Sequence, residues 1–296
     1  MTKANKHILN NEVPDDFAVI ILSHGRADNL VTMATLARGG YDGKYYIILD
    51  DEDDQYDLYC EKFGADHVIT FNKEEAEKSF DIMDNFGNRD VVVHARNACF
   101  EIAKDLGLNH FLMLDDDYKS FEYRFPKDGK LGVHKVNSLN ALFNYKIEFL
   151  EVTQATTVCF AQGGDFIGGL SGAYLDKLKR KAMNTFFCNV DRKTKFIGYI
   201  NEDTTMYVND GTRGELFLTI TDVAVTQSAT QANAGGLTGA YLEAGTYVKS
   251  FYSVMAQPSC VKVTMMGGTH RRLHHKVNWN NCTPKIINEK YKKVVK

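Results

Sequence analysis

No apolar stretch of this 296-residue chain approaches the roughly 20 residues that a helix needs to cross a bilayer. The longest apolar runs, FAVIIL (17–22) and YYIIL (45–49), are strand-sized. No signal-peptide pattern opens the chain either: MTKANKHILNNEVPDD is polar throughout, so a soluble, cytoplasmic protein with no membrane partner is expected. The six cysteines (Cys60, Cys99, Cys159, Cys188, Cys260 and Cys282) are scattered without a C-x-x-C pair. That spacing argues against a zinc cage and against a disulfide framework, and leaves reduced structural thiols. Trp279 is the only tryptophan; a place in the core or an interface is expected for it, with stacking on a nucleobase as the alternative. Net charge is also small, at −3, and the hydrophobic content of 44% suffices for one large domain or two fused halves.

The small net charge hides an uneven distribution. From Asp50 to Asp90 fourteen Asp or Glu face only Lys62, Lys73, Lys78 and Arg89, whereas from Lys262 to Lys296 nine Lys or Arg accompany Glu289 alone. A basic end of this kind is either a solvated tail or a surface for a polyanion such as nucleic acid. Lys179, Arg180, Lys181, Arg192, Lys193 and Lys195 add further candidate phosphate contacts.

The first half alternates strand-like and helix-like segments. FAVIIL, YYIIL, HVITF and HFLML read as strands, and the segments after SHGR and across ARNACFEIAKDLGL read as helices. Such alternation predicts an α/β protein with a parallel sheet and crossover helices, whose ligands bind beyond the carboxyl ends of the strands. SHGR, DDEDD and DDDY all follow strands and can converge there. The turn formers of RFPKDGKLGVHK (124–135) read as a hinge into a second half. On this reading residues 1–14 are a polar tail, 15–125 a nucleotide-binding half, and 126–296 an acceptor half of mixed structure with a basic C-terminal segment. GGLSGAYL (168–175) and GGLTGAYL (235–242) match at seven of eight places, but their flanks differ, so they are two similar glycine-rich loops and not a repeat.

HFLMLDDDY (110–118) ends a buried strand in three consecutive carboxylates. Like charges so close repel unless a cation sits among them. Mg2+ and Mn2+ are commonly held by one or two carboxylates, with substrate phosphates completing the shell, and the D-x-D spacing lets Asp115 and Asp117 point to one side. An exposed acidic turn is the bland alternative. Arg96 and Asn97 open a helix where a guanidinium and a helix N-terminus can face phosphate, although Arg96 can equally be an ordinary ion-pair partner. Asp50 and Asp51 can accept hydrogen bonds from a ribose or base. Glu202 and Asp203 form a second acid pair, and a carboxylate there can draw the proton from an attacking hydroxyl. Asp165 with Gly168 and Gly169 can shape a sugar pocket or simply a turn.

In this order ILSHGRADN, IILDDEDD, ARNACFEIAKDLG and FLMLDDDY resemble the nucleotide-sugar half of glycosyltransferases with the GT-A fold, and INED resembles the acid pair of their inverting members. AQGGDFIGG, RKAMNTFFCN, GYINEDTTMYVNDGTRGELF, GTYVKSFYSVMAQPSCVK and HRRLHHKVNWNN extend the resemblance to the TET-associated glycosyltransferases of bacteriophages, over roughly residues 17–290. The resemblance implies a GT-A-like Rossmann-type central sheet and transfer of a sugar from a UDP-sugar, UDP-glucose foremost, to the hydroxymethyl group of a modified pyrimidine in DNA, typically 5-hydroxymethylcytosine. It implies Mn2+ or Mg2+ as cofactor, held with the diphosphate by Asp115 and Asp117. Arg26, Asp51 and Arg96 would contact the nucleotide, with Ser23, Asp50 and Asp116 in the same strand-end segments, and Asp203, paired with Glu202, would be the base. His274 or His275, with His270 third, would add a metal ligand. Two rivals are a sugar-phosphate nucleotidylyltransferase, which would need a glycine-rich loop where SHGRADN has only Gly25, and a DNA-binding module derived from such an enzyme, which need not keep Asp115, Asp117 and Asp203.

Overall fold

FAVIIL forms strand β1 (Phe17–Leu22), and all six of its residues are buried. Two opposed cores account for that. Phe17, Val19 and Ile21 face one apolar cluster, and Ala18, Ile20 and Leu22 face the other, as the period-2 geometry of a strand requires. The computed structural model describes residues 11–84, 89–172, 178–227, 248–266, 271–282 and 289–292. Among these, no helix is long and apolar enough to cross a membrane, and all six cysteines are free thiols.

After β1 come α1 (Val31–Arg38), β2 (Lys44–Asp50), α2 (Tyr56–Phe63), β3 (Val68–Phe71), α3 (Lys73–Glu77), α4 (Val93–Asp105) and β4 (His110–Asp115). β1 pairs in parallel with both β2 and β4, and β2 with β3, so the order is β3-β2-β1-β4. The order reverses between β1 and β4. At such a switch point the connections leave in opposite directions, opening a crevice beyond the strand ends.

The second half supplies β5 (Tyr118–Lys127), β6 (Lys130–Lys135), α5 (Leu139–Thr153), β7 (Thr157–Ala161), β8 (Leu178–Lys179), β9 (Thr185–Asn189), α6 (Glu202–Thr212) and β10 (Phe217–Gln227). These continue the same sheet beyond β4 as β9-β7-β10-β5-β6, with β8 beside β10. Most of the pairings here are antiparallel, and the whole is a mixed ten-stranded sheet. The expected α/β class with a mixed second half is what the structure shows. The expected hinge is not: residues 124–135 form the β5–β6 hairpin, because Asp128 and Gly129, both at positive φ, close a tight turn between two paired strands. Phe17, Phe121, Phe143, Phe160 and Phe187 interlock at ring-centroid distances of 5.3–6.3 Å and fasten α5 to the sheet centre. α7 (Lys249–Ala256), the separate hairpin β11 (Val261–Met266) and β12 (Arg272–Val277), and α8 (Trp279–Cys282) follow.

Candidate active site

The three aspartates sit at the end of β4, directly beside the end of β1: Leu22 is in register with Asp115. Because the chain turns there, the three carboxylates part company. Asp116 is buried and accepts hydrogen bonds from Ser23 Oγ (2.8 Å) and from the guanidinium of Arg26 (2.9 Å). The Tyr59 hydroxyl ties this group to α2, lying 2.7 Å from Ser23 Oγ and accepting from the Arg26 amide at 2.9 Å. Thr32, at the start of α1, holds the turn itself: its hydroxyl donates to the Asp115 carbonyl (2.7 Å), and its amide donates to the Asp116 carbonyl (3.0 Å). Neither Tyr59 nor Thr32 carries a signal in the sequence, since each acts through tertiary contacts made across the crevice.

Asp115 and Asp117 remain half-buried. Asp115 Oδ1 accepts from Arg96 Nη2 at 3.0 Å, and its Oδ2 lies 3.3 Å from the Tyr118 hydroxyl. Arg96 is buried, at 3% exposure, and its Nε donates to Glu202 Oε1 at 2.9 Å. Its guanidinium stacks over Phe186 at 5.1 Å. The ordinary ion-pair role thus describes its geometry: Arg96 faces carboxylates and aromatic rings, and its hydrogen bonds join the end of β4 to the start of α6. Asn201, at a positive φ of 65°, turns the chain into α6, so Glu202 points inward to Arg96 while Asp203 accepts from the Thr204 amide at 2.5 Å. Asp203 also feels the charge of Asp115.

Asp115, Asp116, Asp117, Glu202 and Asp203 therefore share a region with two arginines, Arg26 and Arg96. Burial, then Asp115 and Asp116, push Asp117 up to about 6. Burial pushes Glu202 up to about 7 despite Arg96, and raises Asp203 and Asp116 above the usual carboxylate range. Asp117 has no side-chain partner among the described residues. An excess of acids, one of them unpaired at the crevice, suits a hard divalent cation with oxygen ligands. Among the described residues no three His, Cys, Asp or Glu side chains form a ready metal cage, so Asp115 and Asp117 are not joined there by a histidine.

Asp50 and Asp51, at the end of β2, are engaged differently. Asp50 Oδ2 lies 2.8 Å from His24 Nδ1, and the buried Lys73 ammonium lies 3.3 Å from Asp50 and 3.4 Å from Glu52. Asp51 accepts from Asn72 Nδ2 (2.7 Å) and the Lys73 amide (3.0 Å), which fixes the start of α3. Sequence reasoning missed Lys73; one of three lysines in an acid-rich tract, it gave no sign of burial. Asp165 is also committed, to Lys181 (2.6 Å) and the Gln162 amide (3.0 Å), and it shapes the loop in which Gly168 and Gly169 take positive φ. His275 Nδ1 lies 2.8 Å from Asn201 Nδ2, next to the acid pair, and His274 stacks on it at 4.3 Å. Burial lowers His275 to about 4, leaving it neutral. Trp279 stacks on Tyr207 at 5.8 Å. His270 and the loop 235–242 lie outside the described residues.

Carboxylates from the end of β4 and from the start of α6 thus meet around one buried guanidinium at the strand ends. The sequence profile of the TET-associated glycosyltransferase family matches residues 17–236. The chain belongs to that family, and it is a glycosyltransferase. No curated protein matches it. Among solved structures it is similar to glucosyl-3-phosphoglycerate synthase from Mycobacterium tuberculosis in complex with Mn2+, UDP and phosphoglyceric acid, at 11% identity over 88% of this chain and 86% of that one, with a TM-score of 0.45. It is also similar to a mannosyltransferase from Pyrobaculum calidifontis in complex with GDP-Man and Mn2+, at 12% identity over 75% of this chain and 61% of that one, TM-score 0.45.

Arg96→Met should lower unfolding free energy by about 3–5 kcal/mol, since it leaves buried carboxylates without their cation. Glu202, whose carboxyl is raised in the folded protein, keeps its proton at low pH and loses it as pH rises through about 7. The deficit should thus be larger at pH 8 than at pH 5. Urea unfolding checks this; a loss below about 1 kcal/mol at both pH values would contradict the bridge.

Proposed function

We propose that this glycosyltransferase moves a sugar from a UDP-sugar, UDP-glucose foremost, to the hydroxymethyl group of a modified pyrimidine in DNA, 5-hydroxymethylcytosine before 5-hydroxymethyluracil, with inversion at the anomeric carbon. The observation that carries the reading is the linked acid cluster: Asp115 and Asp117 at the switch point, joined through Arg96 to Glu202 beside Asp203. Family membership supports sugar transfer over nucleotidylyl transfer.

On this reading residues 15–125 bind the donor and residues 126–296 the acceptor. Ser23 and Arg26 hold Asp116 against the crevice wall, and Asp50 and Asp51 lie on the nucleotide side of it. Asp115 and Asp117 are the metal ligands, with the neutral His275 and its neighbour His274 standing beside Asn201 at the start of α6. A bound Mn2+ or Mg2+ would supply neutralisation of the diphosphate leaving group. Asp165, steadied by Lys181, and the backbone at Gly168 and Gly169 border the sugar.

Asp203 then takes the proton of the acceptor hydroxyl while that oxygen bonds to the anomeric carbon and the bond from this carbon to the UDP oxygen breaks. Burial raises Asp203, which strengthens it as a base, and the Thr204 amide fixes its orientation. Glu202, bound to Arg96, holds the start of α6 in place and prevents that helix from drifting off the donor side.

Mass spectrometry of hydroxymethylated DNA incubated with a panel of UDP-sugars and Mn2+ should show one hexose or pentose added per modified base. Asp203→Asn should leave UDP-sugar affinity near normal while lowering transfer by about 100- to 10,000-fold. Addition to no modified base, or full transfer by Asp203→Asn, would refute the assignment.

Mn2+ binding should also follow the protonation of Asp117. Because that carboxyl is held up to about 6, Mn2+ affinity should be flat above that pH and fall about tenfold per unit below it, as the ion must displace a proton. Electron paramagnetic resonance titration measures this, and an affinity unchanged between pH 7 and pH 5 would exclude Asp117 as a ligand.

A further inference from the structure

The cations that the sequence offers for DNA phosphates between residues 181 and 195 are largely occupied. Lys181 pairs with Asp165 (2.6 Å), Arg192 with Glu151 (2.6 Å), and Lys193 with Glu101, while Lys195 donates to the Ser79 carbonyl (2.7 Å). The β5–β6 hairpin presents the reverse situation. Lys127, Lys130 and Lys135 are exposed and have no ion-pair partner among the described residues. Lys135 lies opposite Glu122, but that carboxylate is taken by Ser120 (2.9 Å) and Arg124 (2.6 Å).

Register sharpens the point. Lys127 stands directly across from Lys130, and like charges opposed on one face of a strand pair destabilise it unless an anion neutralises them. On the same face Phe125, 42% exposed, stacks flat on His134 at 4.2 Å. Gly132, opposite Phe125, makes room for this stack, since a Cβ there would meet His134 Nε2 at 2.9 Å. β10 pairs with β5 only over 118–123, so residues 124–127 and 130–133 extend past β10 as a two-stranded ribbon, with Arg124 at its base lying over Phe166. β5, whose far end forms the ribbon, begins immediately after Asp117. At ~3.3 Å per residue Lys127 at its tip lies at most roughly 33 Å along the strand from Asp117, close to one turn of B-DNA.

We propose that the β5–β6 hairpin is a clamp for the phosphate backbone of duplex DNA, with Lys127 and Lys130 at its tip neutralising two phosphates about one helical turn from the base in the crevice. This rests on DNA as the acceptor. A two-stranded ribbon with cations at its tip has the width to lie along or within a duplex groove, and phosphate contacts of this kind fix register without reading sequence.

The test is the Lys127→Ala/Lys130→Ala variant of the full chain, compared with the unaltered protein on a hydroxymethylated duplex of about two helical turns. Fluorescence anisotropy over a salt series should give a log–log salt slope shallower by about 1.8, the value expected for two lost phosphate contacts. KM for the duplex should rise, while UDP-sugar hydrolysis and transfer to the free hydroxymethylated nucleoside stay unchanged and show the variant folded. An unaltered slope and KM in the variant, with the parent protein transferring to DNA, would overturn the clamp alone. A parent protein that neither binds nor modifies DNA would overturn the acceptor assignment and the clamp with it. A loss confined to anionic lipid vesicles, with DNA binding intact, would assign the hairpin to a membrane surface and also refute the proposal.

Discussion

A buried guanidinium joins the two halves of this chain. Arg96, on α4, bonds to Asp115 at the end of β4 and to Glu202 at the start of α6, residues 87 positions apart in sequence, and aromatic rings shield it from water. A buried ion triad of this kind adds little net stability compared with apolar residues of the same volume, because desolvating three charges offsets their attraction. Its consequence is geometric. Any displacement of α6 from β4 would leave a carboxylate or the guanidinium buried and unpaired, so the positions of Asp203 and Asp117 are fixed relative to each other.

The second constraint is an imbalance of charge that the protein does not correct. Arg26 pairs with Asp116, and Arg96 with Asp115 and Glu202, yet Asp116, Asp117, Glu202 and Asp203 all keep raised carboxyls. Folding holds these acids together at a cost, which fits a site completed by a cation and a substrate and not one complete in itself. The same reasoning extends to the far end of β5, where opposed lysines leave a positive excess suited to a polyanion.

Much of this was legible in the sequence. The uninterrupted apolar runs of β1 and β4 forecast strands buried on both faces, and the acids that follow β4 lie, as their place in the sequence implied, at the strand end beside β1. Partnerships across the fold were not legible. Whether Arg96 would meet phosphate or carboxylate depended on where α6 packs, and the basic tract around Lys181 and Arg192 looked free only because Asp165 and Glu151 are distant in sequence. The hairpin at 124–135 was misread since Pro126, Asp128 and Gly129 signal a turn equally well in a linker and between two strands.

The central claim is that the acids at the end of β4 hold a cation against a nucleotide diphosphate. The most direct measurement is a crystal structure with Mn2+ and UDP, with anomalous diffraction recorded at the manganese edge. A manganese peak between the Asp115 and Asp117 carboxylates and the UDP phosphates is the predicted result. UDP bound away from the β1–β4 switch point, or bound there with no manganese at those carboxylates, would contradict it.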